Sequence, residues 1–255
     1  MSRVVGFVAA GCEINFSEIV SNLARIISKK NYKVCVIDTY FSCGEVSFEF
    51  VSNQIVDYKE YLMGRVGAIE CLNKENENLF FTRCNSLVFD YENHLIDFDV
   101  TIKKASENFD YVFVVINYFD DKIFSHFLSK VSELVIVTNG EVNLIRNSKK
   151  IILMSNKKEN IVGTKIIVTN HKVIGEIERK NLSILDIEKV LCTKVIFVFP
   201  KLKIGYNNKT KETCELYLRL CYNFITNEKF YFDYKKPYRG LIGFVRRRMY
   251  EKFEI

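Results

Sequence analysis

Short apolar runs alternate with amphipathic ones along most of the chain. VVGFVAA (4–10), KVCVID (33–38), DYVFVVINYF (110–119), ELVIVTN (133–139), TKIIVTN (164–170) and KVIFVFP (194–200) are apolar at nearly every position, which predicts strands buried on both faces. Between 17 and 30 the apolar residues fall at 19, 20, 23, 26 and 27, a helical spacing. Helices are also predicted over 122–131, 141–155, 183–191 and 209–226, with Ser183 as the N-cap of its helix, and Thr101 to Asn108 reads as a helix end. The stretch 39–100 breaks the rhythm: 57–72 reads as helical, while LFFT and SLVFDY read as short strands. Buried strands separated by helices predict an α/β fold, a mostly parallel sheet with helices on both faces. Ligands of such sheets bind outside the carboxyl ends of the strands, here the loops after Ala10, Asp38, Ile116, Thr138 and Thr169.

Composition narrows this picture. Of 255 residues, 48% are hydrophobic and 27% charged, enough apolar material for a sizeable core. Pro200 and Pro237 are the two prolines, and no Gly/Ser/Pro-rich linker interrupts the chain, so one α/β domain (1–232) and a short C-terminal segment (233–255) are expected. The eight cysteines form no CxxC pair, and the histidines (His94, His126, His171) are scattered, so no zinc site or disulfide framework is predicted. Cys35, inside VCVID, reads as a small buried hydrophobe. Without a signal peptide or an apolar run of roughly 18–20 residues, a cytoplasmic protein with reduced thiols is expected.

The order and text of these segments resemble the MinD/ParA group of P-loop ATPases, the MinD side most. SELVIVTNGEVNLIRNSKKIILM (132–154) carries Glu141-Val142 and Arg146 in register with the group's corresponding segment, and NLSILDIEKVLCTKVIFVFP (181–200) aligns without a gap to its Pro200. The resemblance covers roughly 1–226, more weakly over 45–100, and implies a P-loop NTPase-like fold.

It also implies where a nucleotide would sit. Counting back from Asn22-Leu23-Ala24, the group's phosphate loop K-G-G-V-G-K-[ST] falls on Gly11, Cys12, Glu13, Ile14, Asn15, Phe16 and Ser17. Ser17 keeps the hydroxyl that faces Mg²⁺, but Phe16 holds the place of the phosphate-contacting lysine. Gly11 replaces the leading lysine that reaches across a dimer, and no lysine occurs before Lys29. Side chains at the glycine positions oppose the positive-φ conformations and close approach such a loop uses. Asp38 matches the acid that closes the second strand, its companion falls on Tyr40, and the metal-orienting aspartate falls on Val115, with Asn117, Asp120 and Asp121 nearby. The resemblance sets Asn170 at the place of an adenine-contacting asparagine, and a plain loop asparagine after a strand is the alternative. Gly11, Ser17, Asp38 and Asn170 are therefore the vestigial nucleotide residues, with ATP and Mg²⁺ doubtful cofactors, no catalytic or metal-binding residues expected, and hydrolysis not expected.

The net charge of +6 is uneven: Lys235, Lys236, Arg239, Arg246, Arg247 and Arg248 lie in a stretch free of acids. At 100° per residue Leu241, Ile242, Val245, Met249 and Phe253 share one face, with Phe244 at its edge and the arginines flanking. That composition suits an interfacial helix, and MinD proteins also end in a basic amphipathic segment that binds membrane; a helix that packs on protein is the alternative. The sequence thus predicts a degenerate MinD-like protein, peripheral on the inner face of the cell membrane, that scaffolds the positioning of division, pilus or flagellar machinery. A working ATPase switch with an atypical loop is the alternative. The protein partner is open, nucleic acid ranks last because the basic cluster is confined to the tail, and a homodimer is compatible with the sequence.

Overall fold

Valine-rich runs become the interior of one sheet. The strands are β1 (Arg3–Ala9), β2 (Val34–Asp38), β3 (Asn73–Asn76), β4 (Leu79–Phe81), β5 (Tyr111–Val115), β6 (Glu133–Thr138), β7 (Gly163–His171) and β8 (Val195–Pro200). They are joined in the order β3-β4-β2-β5-β1-β6-β7-β8, parallel throughout except β3, which pairs antiparallel with β4. The computed structural model describes residues 2–11, 14–40, 46–84, 94–118, 120–171, 182–200 and 211–226.

Parallel strands expose two apolar faces, and helices cover both. α1 (Phe16–Lys29) lies on one face, joined by α7 (Lys211–Thr226). Their Ile19, Leu23, Ile27, Leu220 and Phe224 pack with Val5, Phe7, Phe113 and Val135. The opposite face takes α3 (Leu95–Asn108), α4 (Asp121–Leu128), α5 (Val142–Ser155) and α6 (Ile184–Leu191). There Phe98, Phe127, Ile151 and Ile187 meet Val8, Val112, Val114 and Ile136.

Local chemistry sets the helix ends. Asp120 accepts the N–H groups of Lys122 and Ile123 at 2.9 and 3.0 Å and so caps α4. Ser183 caps α6 as predicted, accepting from Asp186 N at 3.2 Å. At the end of α1, Asn31 turns left-handed (φ 66°) and its N–H returns to Ser28 O, a conformation asparagine tolerates better than most residues.

The structure departs from the expected elements in the middle of the chain. The predicted helix over 57–72 shrinks to α2 (Tyr58–Leu62), capped by Asp57 and ended by Gly64 at φ 71°. β3 reads NKEN, with no apolar alternation to betray it; its Glu75 pairs with Arg25 of α1 at 2.9 Å. β5 stops at Val115, well short of 119, although Ile116 N still donates to Phe7 O. The SLVFDY run lies outside the described residues.

Candidate functional site

The loops at the carboxyl edge of the sheet converge where β1 meets α1. Beyond β1, Ala10 is fixed from two sides: its N–H donates to Val137 O at 2.9 Å, and Asn147 Nδ2 of α5 donates to its carbonyl at 3.0 Å. At Gly11 a Cβ would run into a methyl of Leu144, so α5 closes over this position. Farther on, Ile14 is buried and Asn15 opens α1 without a side-chain cap. Phe16, the first residue of α1, is 0% exposed and belongs to the apolar cluster under α1 and α7. Ser17 stays half-buried at the helix start. Cys12 and Glu13 lie outside the described residues.

Asp38 is consumed by the backbone. Its carboxylate accepts Tyr40 N at 3.0 Å and the N–H groups of Val46 and Ser47, each at 2.8 Å, while its own N–H donates to Thr82 Oγ1 at 2.9 Å. Burial pushes the carboxyl above its ordinary range, against the pull of those N–H donors. The group works as a turn organiser, tying the chain after β2 to the strand end. At the end of β5, Val115, where the resemblance places the metal-orienting acid, is fully buried, and its carbonyl receives Thr39 Oγ1 at 2.7 Å. Asp120, near that position in sequence, is the α4 cap. Arg146 is exposed on α5, and Asn139 Oδ1 accepts Glu141 N at 2.9 Å just before that helix. Asn170 lies near the end of β7; its side chain is outside what is described.

Compared with solved structures, the chain superposes on MinD cell division ATPase from Pyrococcus furiosus with a TM-score of 0.74 at 14% identity, covering 89% of this chain and 100% of that one. The MinC:MinD cell division protein complex of Aquifex aeolicus matches with a TM-score of 0.69 at 18% identity over 90% of this chain and 98% of that one. The fold is that of the MinD/ParA ATPases. A ParA family ATPase from Chlorobium tepidum TLS extends the likeness, with a TM-score of 0.66 at 18% identity, covering 89% of this chain and 93% of that one. No model of a known protein family matches the sequence. No curated protein matches it either.

On this MinD/ParA fold, the structure brings Gly11 and Ser17 to opposite ends of one loop and sets Asp38 on the same edge of the sheet. It also shows a polar constellation that sequence reading missed, at the amino edge of the strands. Glu133 Oε1 and Oε2 accept Arg3 Nε and Nη2 at 2.8 and 2.9 Å, and Lys165 Nζ lies 2.7 Å from Oε2. Burial alone would push the Glu133 carboxyl up, but the hydrogen bonds and charges of Arg3 and Lys165 hold it below its ordinary value. Arg3 Nη1 also donates to Phe224 O at 3.1 Å, fixing the last turn of α7 to the start of β1. No sequence signal joins these residues, which come from β1, β6, β7 and α7. An open recess of about 450 Å³ lies beside them, lined by Ser2, Arg3, Tyr32, Asn108 and Tyr111 among others, at the far edge from Phe16.

Proposed function

We propose that this chain is a catalytically degenerate MinD-like protein that works as a membrane-associated positioning or recruitment scaffold. The observation that carries the reading is Phe16, out of water at the position where the resemblance places a phosphate-binding lysine. A P-loop holds a triphosphate with curled backbone N–H groups and a lysine charge. The residues here do not suit a magnesium nucleotide: position 16 offers a buried ring in place of a cation, Val115 has no side-chain oxygen, and the oxygens of Asp38 are taken by backbone N–H groups. A bound nucleotide would supply the switching energy of the ATPase relatives. Without it, the chain's own residues keep the loop edge in one arrangement, through Asn147 on Ala10 and Asp38 on residues 46 and 47.

The C-terminal segment supplies the membrane part of the reading. It lies outside the described residues; by sequence, a helix there would set Leu241, Ile242, Val245, Met249 and Phe253 on one apolar face with Phe244 at its edge and Arg246, Arg247 and Arg248 flanking it. MinD of Aquifex aeolicus is seen in a complex with MinC, which supports recruitment of a protein partner as the output. Calorimetric titration with MgATP and flotation on anionic vesicles test the proposal together. We expect no nucleotide heat and no phosphate release, with flotation by the full chain that is lost in a chain ending at 238. Tight MgATP binding with turnover would establish the ATPase switch instead. Failure of the full chain to float would remove the membrane role.

A further inference from the structure

The register of the parallel strands gathers a surface that no single segment shows. Arg3, Val34, Tyr111, Glu133 and Gly163 start their strands side by side, so the turns that precede them share one edge of the molecule. The last residue of α1 and the turn before β2 carry Lys29, Lys30 and Lys33, and the turn between α5 and β7 carries Lys157; all four are exposed, and none is in an ion pair among the described residues. Lysines in a last helical turn complement the helix dipole. Lys157, next to the C-cap of α5, is within reach of the same effect, whereas Lys33 lies four residues beyond the end of α1, where that explanation does not reach. Two apolar side chains of the same turns reach solvent: Val162 is 88% exposed, and Tyr32, its ring set edge-on to Tyr111, is 38% exposed. Tyrosine at a charged rim is the residue type favoured at a membrane–water boundary.

Two further facts give this edge a direction. α7 ends here, with Phe224 O bound to Arg3, so the chain departs toward its C-terminal segment from the lysine side. In the described turns of this edge Lys30, Lys33, Lys130, Lys157, Lys158 and Lys194 outnumber Glu77, Asp110 and Glu159, whereas in the described connections of the opposite edge Glu49, Asp57, Glu70, Asp120 and Glu141 outnumber Arg65 and Arg83. An anionic surface therefore attracts one edge and is repelled by the other.

We infer that the amino edge of the sheet, carrying Lys29, Lys30, Lys33 and Lys157 with Tyr32 and Val162, is a second membrane contact. It rests on anionic lipid when the C-terminal segment is inserted, and it turns the loop edge of Phe16 and Asp38 away from the bilayer, toward a recruited partner. The inference rests on the proposed membrane association and adds an orientation to it.

The chain contains no tryptophan, so single ones report cleanly. Full-length Tyr32→Trp and Val142→Trp proteins, both altered at exposed sites, are bound to vesicles of phosphatidylcholine and phosphatidylglycerol doped with dansyl-phosphatidylethanolamine. Energy transfer is expected to be stronger from position 32 than from position 142. The full-length variant Lys29→Gln/Lys30→Gln/Lys33→Gln/Lys157→Gln, with its melting temperature checked, is expected to lose about tenfold or more in affinity for the same vesicles. Lys59→Gln/Lys122→Gln is expected to bind as the unmodified protein does. If the unmodified protein floats while the four-lysine variant binds equally well, or position 142 transfers as strongly as position 32, the orientation is wrong and the membrane reading stands. If the unmodified protein does not float, both fall. If the four-lysine variant keeps its vesicle affinity and loses binding to duplex DNA, the edge serves nucleic acid and the inference is overturned.

Discussion

At position 16 the ring of phenylalanine is part of the core, and a residue cannot be both core and phosphate ligand. Phe16→Ala is expected to cost about 3–5 kcal/mol in urea unfolding, the usual loss for a buried aromatic ring. Phe16→Lys is expected to cost at least as much, since the ammonium must enter the cluster or pull the first turn of α1 out of it. It should gain no MgATP heat, because Val115 and the engaged Asp38 remain. Glu133 behaves in the opposite way, as a charge the fold uses. Its carboxyl is held below the ordinary value of 4.5, so its contribution is complete above that pH and is lost as pH falls through the lower folded value. Glu133→Gln should therefore flatten the acid limb of stability against pH. At neutral pH it should cost about 2–3 kcal/mol, short of the roughly 3–5 kcal/mol of a fully buried pair, because these side chains keep some contact with water.

Among the elements, α7 shows how much of the fold depends on its last helix. Leu220, Cys221 and Phe224 are 0% exposed and Tyr217 is 5% exposed, all against α1 and the sheet. Burying side chains of this size stabilises by about 1.5–3 kcal/mol each, and a domain has only about 5–15 kcal/mol in total. A chain ending at 210 is expected to be unfolded or aggregated, whereas one ending at 238 should melt as the full chain does, by circular dichroism. Elements of this kind were legible in the sequence, since a strand buried on both faces writes itself as a continuous apolar run and α1 as a helical stripe. β3 and α2 were not, because NKEN gains its place from pairing with β4, and the helix over 58–62 ends at a glycine that periodicity passes over. The same divide runs through the site. The missing lysine could be read from Phe16, but its burial could not. Nor could the engagement of Asp38 with residues 46 and 47, or the union of Arg3 with Glu133 across 130 residues, which exists only once β1 and β6 are neighbours.

For the whole molecule, the question is whether nucleotide can still join two copies. The resemblance implies a sandwich dimer in which a leading lysine of each subunit reaches the phosphates bound by the other. Here that position is Gly11, and the space above it is filled by Leu144, whose methyl would have to move for any Cβ. A side chain added at 11 thus meets α5 before it meets a partner. Neither half of the exchange remains, since the receiving site lacks its own cation at Phe16. On the proposed reading nucleotide has nothing to bridge, and a dimer would be held by protein surface alone, independent of ligand. Light scattering coupled to gel filtration should give the same mass with and without MgATP across a range of protein concentrations. Gly11→Lys should leave that mass unchanged, because restoring one charge restores neither the phosphate loop nor the room beneath Leu144. A mass that doubles only with MgATP would show that the loop edge still closes on nucleotide, and the scaffold would have to be read as a switch.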